Sequence, residues 1–183
     1  KYTDKEEDPH SSLHGFFYSH MGWLLIKKPQ KVIEAGKKIS IDDLYQDDVV
    51  MFQYNLFPWW NLFWCFLVPT MYGKWRLDSY WEGFLIFGMF RWLWTMHSTW
   101  CVNSIAHFYG YRPYNDKIEA RESWITSILS VGEGWHNYHH KYPYDYATSE
   151  YGIFNQWNPT KLFIDTMYYL GQVYDLKRVK NVK

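Results

Sequence analysis

Two long apolar stretches interrupt an otherwise polar chain. No Asp, Glu, Lys or Arg occurs from Val49 to Gly73, and a second uncharged run extends from Trp92 to Tyr111, preceded across Arg91 by further apolar residues. At a rise of about 1.5 Å per residue, each run is long enough to cross a hydrocarbon core of about 30 Å. The pattern predicts membrane-spanning helices at 49–73 and 80–107. Two buried helices of a large soluble core are the alternative.

The two predicted helices form a hairpin, so the polar segments on either side of it lie on the same side of the membrane. The connecting turn contains two cations, Lys74 and Arg76, and Lys and Arg are more numerous in the flanking segments. Because positive charge accumulates on the cytoplasmic side, this excess places the long segments in the cytosol. The predicted fold is all-α, a membrane hairpin with a cytosolic helical cap. Its segments are a cytosolic region 1–48, a helix 49–73, a lumenal turn 74–79, a helix 80–107 and a helical cap 108–183.

Composition agrees with a membrane protein and excludes one class of partner. Aromatic residues make up 22% of the chain, and several, such as Trp59 and Trp75, lie where an interfacial belt is expected. Lys and Arg together number 19, as do Asp and Glu, so no basic field attracts nucleic acid. Cys65 and Cys101 lie inside the predicted spans and have no neighbouring Cys for a thiolate metal site. The chain begins at Lys1, and we expect it to be part of a longer protein.

Three histidines fall within five residues, in the pattern His-x-x-His-His. On a helix, His136, His139 and His140 share one face, with the i and i+4 pair aligned best. Imidazole binds iron, zinc, copper and nickel. The motif therefore predicts a metal site, against the alternative of a fortuitous surface cluster.

A second polar pair, Asn103 and His107, is also spaced by four residues and follows the second apolar run. Polar groups at the end of an intramembrane helix tend to face a cavity or a partner, because burying them in lipid is costly. Asn is a poor direct ligand for iron, but its side chain holds a bound water well. The pair strengthens the prediction of a metal site near the membrane surface.

These motifs belong to a series of strings that covers nearly the whole chain. The strings are Asp8–His10, Gly15–Leu25, Thr99–His107, Gly110–Tyr114, Gly132–His140 and Pro143–Tyr146. With them, the sequence resembles the membrane acyl-CoA fatty-acid desaturases of the stearoyl-CoA (delta-9) type, and most closely their insect branch. The most specific resemblance is the box Gly132–His140 in combination with Asn-x-x-x-His.

The resemblance implies a centre of two iron ions (Fe²⁺). His107, His136 and His140 would bind one iron, Asn103 would hold a water on it, and His139 would turn to the other. In the family, two further histidine boxes precede the position of Lys1. The resemblance therefore implies that five ligand histidines lie outside this chain, and we expect the chain alone to be inactive.

The reaction that the resemblance implies is the introduction of a cis double bond into a long-chain acyl-CoA. The implied partners are O2, membrane lipid, cytochrome b5 and NADH-cytochrome b5 reductase, and the implied location is the endoplasmic reticulum membrane. Thr99 and Trp100 match family residues that hold the bend of the acyl chain. Lys27 and Lys28 match a basic pair that meets the phosphates of coenzyme A. By sequence alone, Trp100 is equally compatible with an ordinary packed aromatic, and the lysines with an ordinary basic pair or a lipid contact.

Other functions are compatible with the same motifs. A histidine-box membrane hydroxylase shares the iron chemistry, and a non-catalytic metal-binding membrane protein shares the histidines. The remaining histidines are interpreted as structural, because the family binds iron elsewhere. They are His10, His14, His20 and His97.

Overall fold

The structure, a computed structural model, describes residues 2–180 and 182. Regular structure in this range is helical, and none of these residues forms a β-strand beyond isolated bridges that join Glu122 to Tyr111 and to Trp135. The predicted all-α class is therefore confirmed. The α-helices among the described residues are α1 (Phe16–His20), α2 (Gln30–Lys37), α3 (Asp42–Tyr45), α4 (Asp48–Leu56), α5 (Trp59–Leu62), α6 (Val68–Leu77), α7 (Tyr80–Gly83), α8 (Arg91–Asn103), α9 (Ile105–Phe108), α10 (Trp124–Leu129), α11 (His136–Lys141) and α12 (Pro159–Tyr169).

Short 3₁₀ and π segments accompany these helices. They are 3₁₀ turns at Ser12–His14 and Gly22–Leu25 and π-helical segments at Phe63–Leu67 and Phe84–Phe90. The chain divides into two compact units. The first unit contains residues 1–29 and 97–183, and the second unit contains residues 30–96.

The second unit contains a helical hairpin. α4 ends at Leu56, because Phe57 precedes Pro58 and adopts an extended backbone with ψ 137°. Helical structure then runs without a gap from α5 through the first π segment to the end of α6. The chain reverses at Asp78, which has a left-handed φ of 57°, and Ser79 caps α7 by accepting from the N–H of Glu82. The predicted turn at 74–79 is therefore shorter than expected.

Glycine allows the two arms of this hairpin to approach closely. A Cβ atom on Gly73 would lie 2.2 Å from the Cα of Gly83, so no larger residue fits without movement of the backbone. Arg91 bridges the two π segments. It donates from Nη2 to the carbonyl of Cys65 at 2.8 Å and from Nε to the carbonyl of Phe87 at 2.9 Å. The guanidinium group of Arg91 therefore satisfies backbone acceptors on both arms of the hairpin.

The apolar character of the hairpin is concentrated on its exposed side chains, such as Trp59, Trp75 and Trp81. By the combined criteria of length and hydropathy, none of the helices that the structure describes qualifies as a membrane span. The membrane hairpin at 49–73 and 80–107 therefore stays a prediction.

The core of the first unit is largely polar. Its largest fully buried side chains include Tyr138, Glu122, Asn137, Asn158 and Asp145. Such groups are tolerated inside a protein only where hydrogen bonds replace those with water. Asn158, for example, donates to the carbonyl of Ala147 at 2.7 Å and accepts from the N–H of Lys161 at 2.9 Å, which caps α12.

Substitution of Gly73 by Ala should destabilise the hairpin. The added methyl group overlaps the backbone of Gly83, so we expect a loss of about 1–3 kcal/mol in the free energy of unfolding. Denaturant unfolding followed by helical circular dichroism measures this loss. Gly36→Ala is the matched control, because Gly36 lies in α2 with open space around it, and there Ala should be neutral or stabilising. Equal stability of the two variants would contradict the close contact.

Candidate metal centre

Three histidines from two helices converge in the first unit. One ring nitrogen from each of His107, His136 and His140 lies within 4.8 Å of the others. The Nε2 atoms of His136 and His140 are 2.9 Å apart, and the ring centroid of His107 lies 5.0 Å from that of His136. We call these three residues the histidine cluster. Within the described part of the chain, the histidine cluster meets the condition for binding one ion, which is that the ligand atoms of three or more His, Cys, Asp or Glu side chains lie close together.

The non-histidine residues of the motif anchor α11. The side chain of Asn137 donates to the carbonyls of Asn115 and Ala120 at 2.9 and 2.8 Å and accepts from the backbone N–H of Tyr114 at 2.9 Å. Tyr138 donates from its hydroxyl to Asp145 at 2.7 Å. These two side chains are fully buried, so they fix the rotation of the short helix on which the histidines lie.

Glu122 caps the start of α11. The residue before this helix is Trp135, which provides no side-chain acceptor for the first N–H groups. Instead, Oε1 of Glu122 accepts from the N–H of Tyr138 at 2.8 Å. Gly134 allows the approach, because a Cβ there would lie 2.2 Å from the carbonyl oxygen of Ser123. The helix is thus held at its N-terminus by a residue distant in sequence.

His107 lies on a helix of its own. α8 ends at Asn103, and Ser104 separates it from α9 with a ψ of −75°. The single continuous helix predicted through His107 is therefore interrupted. Arg121 fixes α9 by donating from its backbone N–H to Ala106 at 2.7 Å and from Nε to the carbonyl of His107 at 3.1 Å.

Asp4 is a site residue that sequence reasoning missed. Its Oδ2 lies 2.8 Å from Nδ1 of His107, and its Oδ1 accepts from the N–H and hydroxyl of Ser12 at 3.0 and 2.6 Å. Burial raises the pKa of Asp4, but the hydrogen bonds from His107 and Ser12 outweigh it and lower the pKa to about 2. A charged Asp4 favours the tautomer of His107 that carries its proton on Nδ1, which leaves Nε2 available as a ligand.

The histidine cluster is suited to a divalent transition metal. Burial, reinforced by His140 and His107, lowers the pKa of His136 well below its ordinary value. Burial, with His107 and His139, lowers the pKa of His140 to about 4. The imidazoles of His136 and His140 are therefore neutral at pH 7, as metal ligands must be. The Nε2 atoms of His136 and His140 point towards each other, so one ion could bind both.

His139 and Asn103 lie near the cluster in sequence but outside the converging group. The ring of His139 is 5.8 Å from that of His136 and 5.5 Å from that of His140, and its buried Nδ1 has no described partner. Asn103 is the last residue of α8 and is partly exposed. The second iron for His139 and the water for Asn103 stay predictions.

The other histidines make structural contacts. His10 lies 3.2 Å from Asp8 and packs edge-on against Trp23. His20 contacts the hydroxyl of Ser104 at 2.8 Å and His97 at 3.0 Å. These contacts agree with the interpretation of both residues as packing histidines.

The predicted substrate residues occupy different surroundings. Trp100 packs against the rings of His20 and His97 at 5.8 and 5.0 Å. Thr99 is exposed on α8, and Lys27 and Lys28 are exposed after the Gly22–Leu25 turn. Their roles in binding an acyl chain and coenzyme A stay predictions.

Comparison with known proteins decides the relationship of this chain. No family model matches it. It is 43% identical over 98% of its length to the Delta(9)-fatty-acid desaturase fat-7 of Caenorhabditis elegans. It is also 42% identical to stearoyl-CoA desaturase 5 of Bos taurus and 44% identical to acyl-CoA desaturase 1 of Tachysurus fulvidraco, over 97% and 98% of its length.

The chain is homologous to half of an acyl-CoA desaturase. It covers 53%, 53% and 54% of these three relatives and so spans about half the length of the curated proteins that it matches. The resemblance to stearoyl-CoA and delta-9 desaturases is confirmed. Among the described residues of this chain, the histidine cluster has a set of side chains that could hold a metal ion.

Substitution of Asp4 by Asn should weaken metal binding without abolishing it. Asn still accepts a hydrogen bond from His107 but lacks the charge that fixes its tautomer, so we expect metal affinity to fall about 10- to 100-fold. Competition between the complete protein and a chelator for Fe²⁺ or Zn²⁺ measures the affinity directly. Asp43→Asn, on the exposed surface of α3, is the control and should bind as the unaltered protein does. Unchanged affinity in a folded Asp4→Asn protein would show that the contact is unimportant for the metal.

Glu122 should make stability depend on pH in the metal-free protein. Burial raises its pKa from 4.5 to about 7, against the opposing backbone hydrogen bonds from Tyr138 and Asn137. The stability contributed by this carboxyl is thus present below pH 4.5 and is lost as pH rises to about 7. We expect Glu122→Gln to gain about 1–3 kcal/mol relative to the unaltered protein over this range.

Urea unfolding of both proteins at several pH values between 4 and 8 measures the difference. Titration of the histidines changes the free energy of unfolding of both proteins alike, so it cancels in the difference between them. Glu34→Gln, an exposed carboxylate on α2, should show no such drift relative to the unaltered protein. A difference between Glu122→Gln and the unaltered protein that does not change with pH would contradict the raised pKa.

Proposed function

We propose that the protein containing this chain is an O2-dependent acyl-CoA desaturase and that the chain provides part of its iron centre. One observation carries the proposal: His107, His136 and His140 converge within 4.8 Å in a chain that is 43% identical to a delta-9 fatty-acid desaturase. The product would be a cis double bond in a long-chain acyl-CoA.

The chemistry explains why such a site is needed. A methylene carbon has no acidic proton, so acid–base catalysis does not remove its hydrogen. Bound iron would activate O2, which is the oxidant: two hydrogens from the substrate, with two electrons and two protons from outside, reduce O2 to two waters as the double bond forms. The residues of this chain would hold the iron and orient the rings that bind it. His136 and His140 present neutral nitrogens, and Asp4 keeps the ring of His107 in one tautomer. The burial of His107 and His136, each 7% exposed, limits access of water to the reacting atoms.

A second iron would take ligands from His139 and from residues outside the chain. Nδ1 of His139 is buried and has no hydrogen-bond partner among the described residues, which supports its availability as a ligand. A cavity of about 340 Å³ borders His140, Asp4 and Ala120, and it offers a route by which further ligands reach the cluster. Asn103 would hold a water on the first iron.

The helical hairpin of the second unit would insert in a membrane of the endoplasmic reticulum. The exposed apolar rings on it support this part of the proposal: Trp59 is 74% exposed, Trp75 77% and Phe90 63%. Exposed apolar surface of this extent is unfavourable in water. Trp and Tyr near the ends of the hairpin would lie at the lipid headgroups. The first unit would then lie on the cytosolic side.

The same proposal identifies the residues that would contact the substrate and the protein that would donate electrons. Lys27 and Lys28, which are exposed, would contact the phosphates of coenzyme A as point charges. Thr99 and Trp100 would line the bend of the acyl chain. Cytochrome b5, reduced by its NADH-dependent reductase, would deliver electrons to the cytosolic face.

Two alternatives make different predictions about the same site. A histidine-box hydroxylase would yield a hydroxy fatty acid, and a non-catalytic metal-binding protein would yield no lipid product and a closed zinc site. The names of the relatives favour desaturation. Metal analysis of the complete protein and identification of its lipid product separate the three.

The decisive experiment expresses the complete open reading frame in a desaturase-deficient host. We expect mono-unsaturated fatty acids in its lipids, located by mass spectrometry. His136→Ala and His107→Ala should each reduce that product at least about 100-fold while leaving membrane insertion intact, because each removes a ligand.

The control for these variants is His14→Ala, which removes an exposed histidine from the same unit. Its product should stay within about two-fold of the unaltered protein, as for an ordinary surface substitution. Full activity of His136→Ala, or an equal loss in His14→Ala, would contradict the assignment of the cluster.

A further inference from the structure

A second cavity in the first unit is chemically distinct from the histidine cluster. It has a volume of about 430 Å³, and aromatic rings from Tyr111, Tyr114, Trp135 and Tyr151 contribute to its wall. This volume falls within the range of about 300–1,000 Å³ that is typical of sites for small ligands.

The charge of the cavity is entirely negative. Two carboxylates, Glu122 and Glu150, line it, and no Lys, Arg or His is among the described residues of its wall. Glu150 is already engaged, because its Oε2 accepts the hydroxyl of Tyr114 at 2.5 Å. Arg178 is nearby but donates to the backbone carbonyl of Glu150 at 2.7 Å. The carboxylate of Glu122 therefore receives no cation from the wall.

Glu122 is the unsatisfied group. Its side chain is 1% exposed, and one oxygen, Oε1, caps α11 through the N–H of Tyr138. The other oxygen, Oε2, is buried and has no hydrogen-bond partner among the described residues. An unpaired buried carboxylate oxygen is costly, and a cation is the partner that offsets the cost most strongly.

We propose that this cavity binds an organic cation, a primary ammonium or a guanidinium group, which pairs with Oε2 of Glu122. The surrounding rings favour the same ligand, because the faces of Tyr and Trp attract cations. The group can come from a free amine or from the side chain of Lys or Arg in a second protein. This binding is independent of desaturation, so either proposal can fail without the other.

Binding of small probes to the complete protein tests the proposal. Saturation-transfer NMR or calorimetry would compare n-butylammonium and methylguanidinium with the uncharged n-butanol. We expect the cations to bind and the alcohol not to. N-acetyl-arginine amide and N-acetyl-citrulline amide form the second arm. Binding of the arginine derivative would show that the cavity admits a side chain, and binding of the simple amines alone would assign it to free amines.

Two variants make the test specific. Glu122→Gln keeps an acceptor for the cap of α11 but lacks charge, and it should reduce cation affinity at least about 10-fold. Tyr111→Leu removes an exposed ring without touching the carboxylate and should weaken binding about 2- to 5-fold. Glu34→Gln, an exposed carboxylate on α2, should leave binding unchanged. No cation binding, equal binding of n-butanol, or undiminished binding by a folded Glu122→Gln protein would each overturn the proposal.

Discussion

The hydrogen bond from the N–H of Tyr138 to Glu122 is the interaction on which the candidate centre most depends. α11 has six residues, and a helix of this length is unstable by itself because its first N–H groups lack partners. Glu122 supplies an acceptor from a distant segment, and Asn137 fastens the same helix to the loop at residues 113–120. The helix bearing His136 and His140 is thus held from outside. Without these contacts, nothing in its own sequence would fix the direction of its histidine rings.

The two units differ in which side chains they bury and which they expose. In the second unit, the hairpin places small glycines between its arms and exposes large aromatic rings. In the first unit, the interior is built from Asn, Asp, Glu and Tyr side chains that are joined by hydrogen bonds. A network of this kind is directional, so it specifies positions more narrowly than apolar packing does. A metal centre requires several ring nitrogens within a few ångströms of one another, so it benefits from a directional hydrogen-bond network. The histidine cluster lies in the first unit, which contains that network.

Much of this organisation is predictable from local patterns. The uncharged runs predicted helices on either side of a turn, and the spacing of His136 and His140 predicted a shared face. The assignment of His107 to the same site as these two histidines came from the resemblance rather than from helical periodicity. The helix that was predicted to continue through His107 is interrupted at Ser104. Asp4 and Glu122 were not predicted, because each acts across more than a dozen residues and no short motif marks it. The positions of single carboxylates in a polar core follow from the tertiary structure alone.

The depressed pKa values of His136 and His140 have a consequence for how an ion would be acquired. A histidine in water still carries a proton for part of the time near pH 7, and that proton must leave before the nitrogen can coordinate. In the folded chain these two rings have already lost it, since burial disfavours the charged form. Binding of an ion near neutrality would therefore release no protons from these two rings, and mild acidification would not return a proton to either of them.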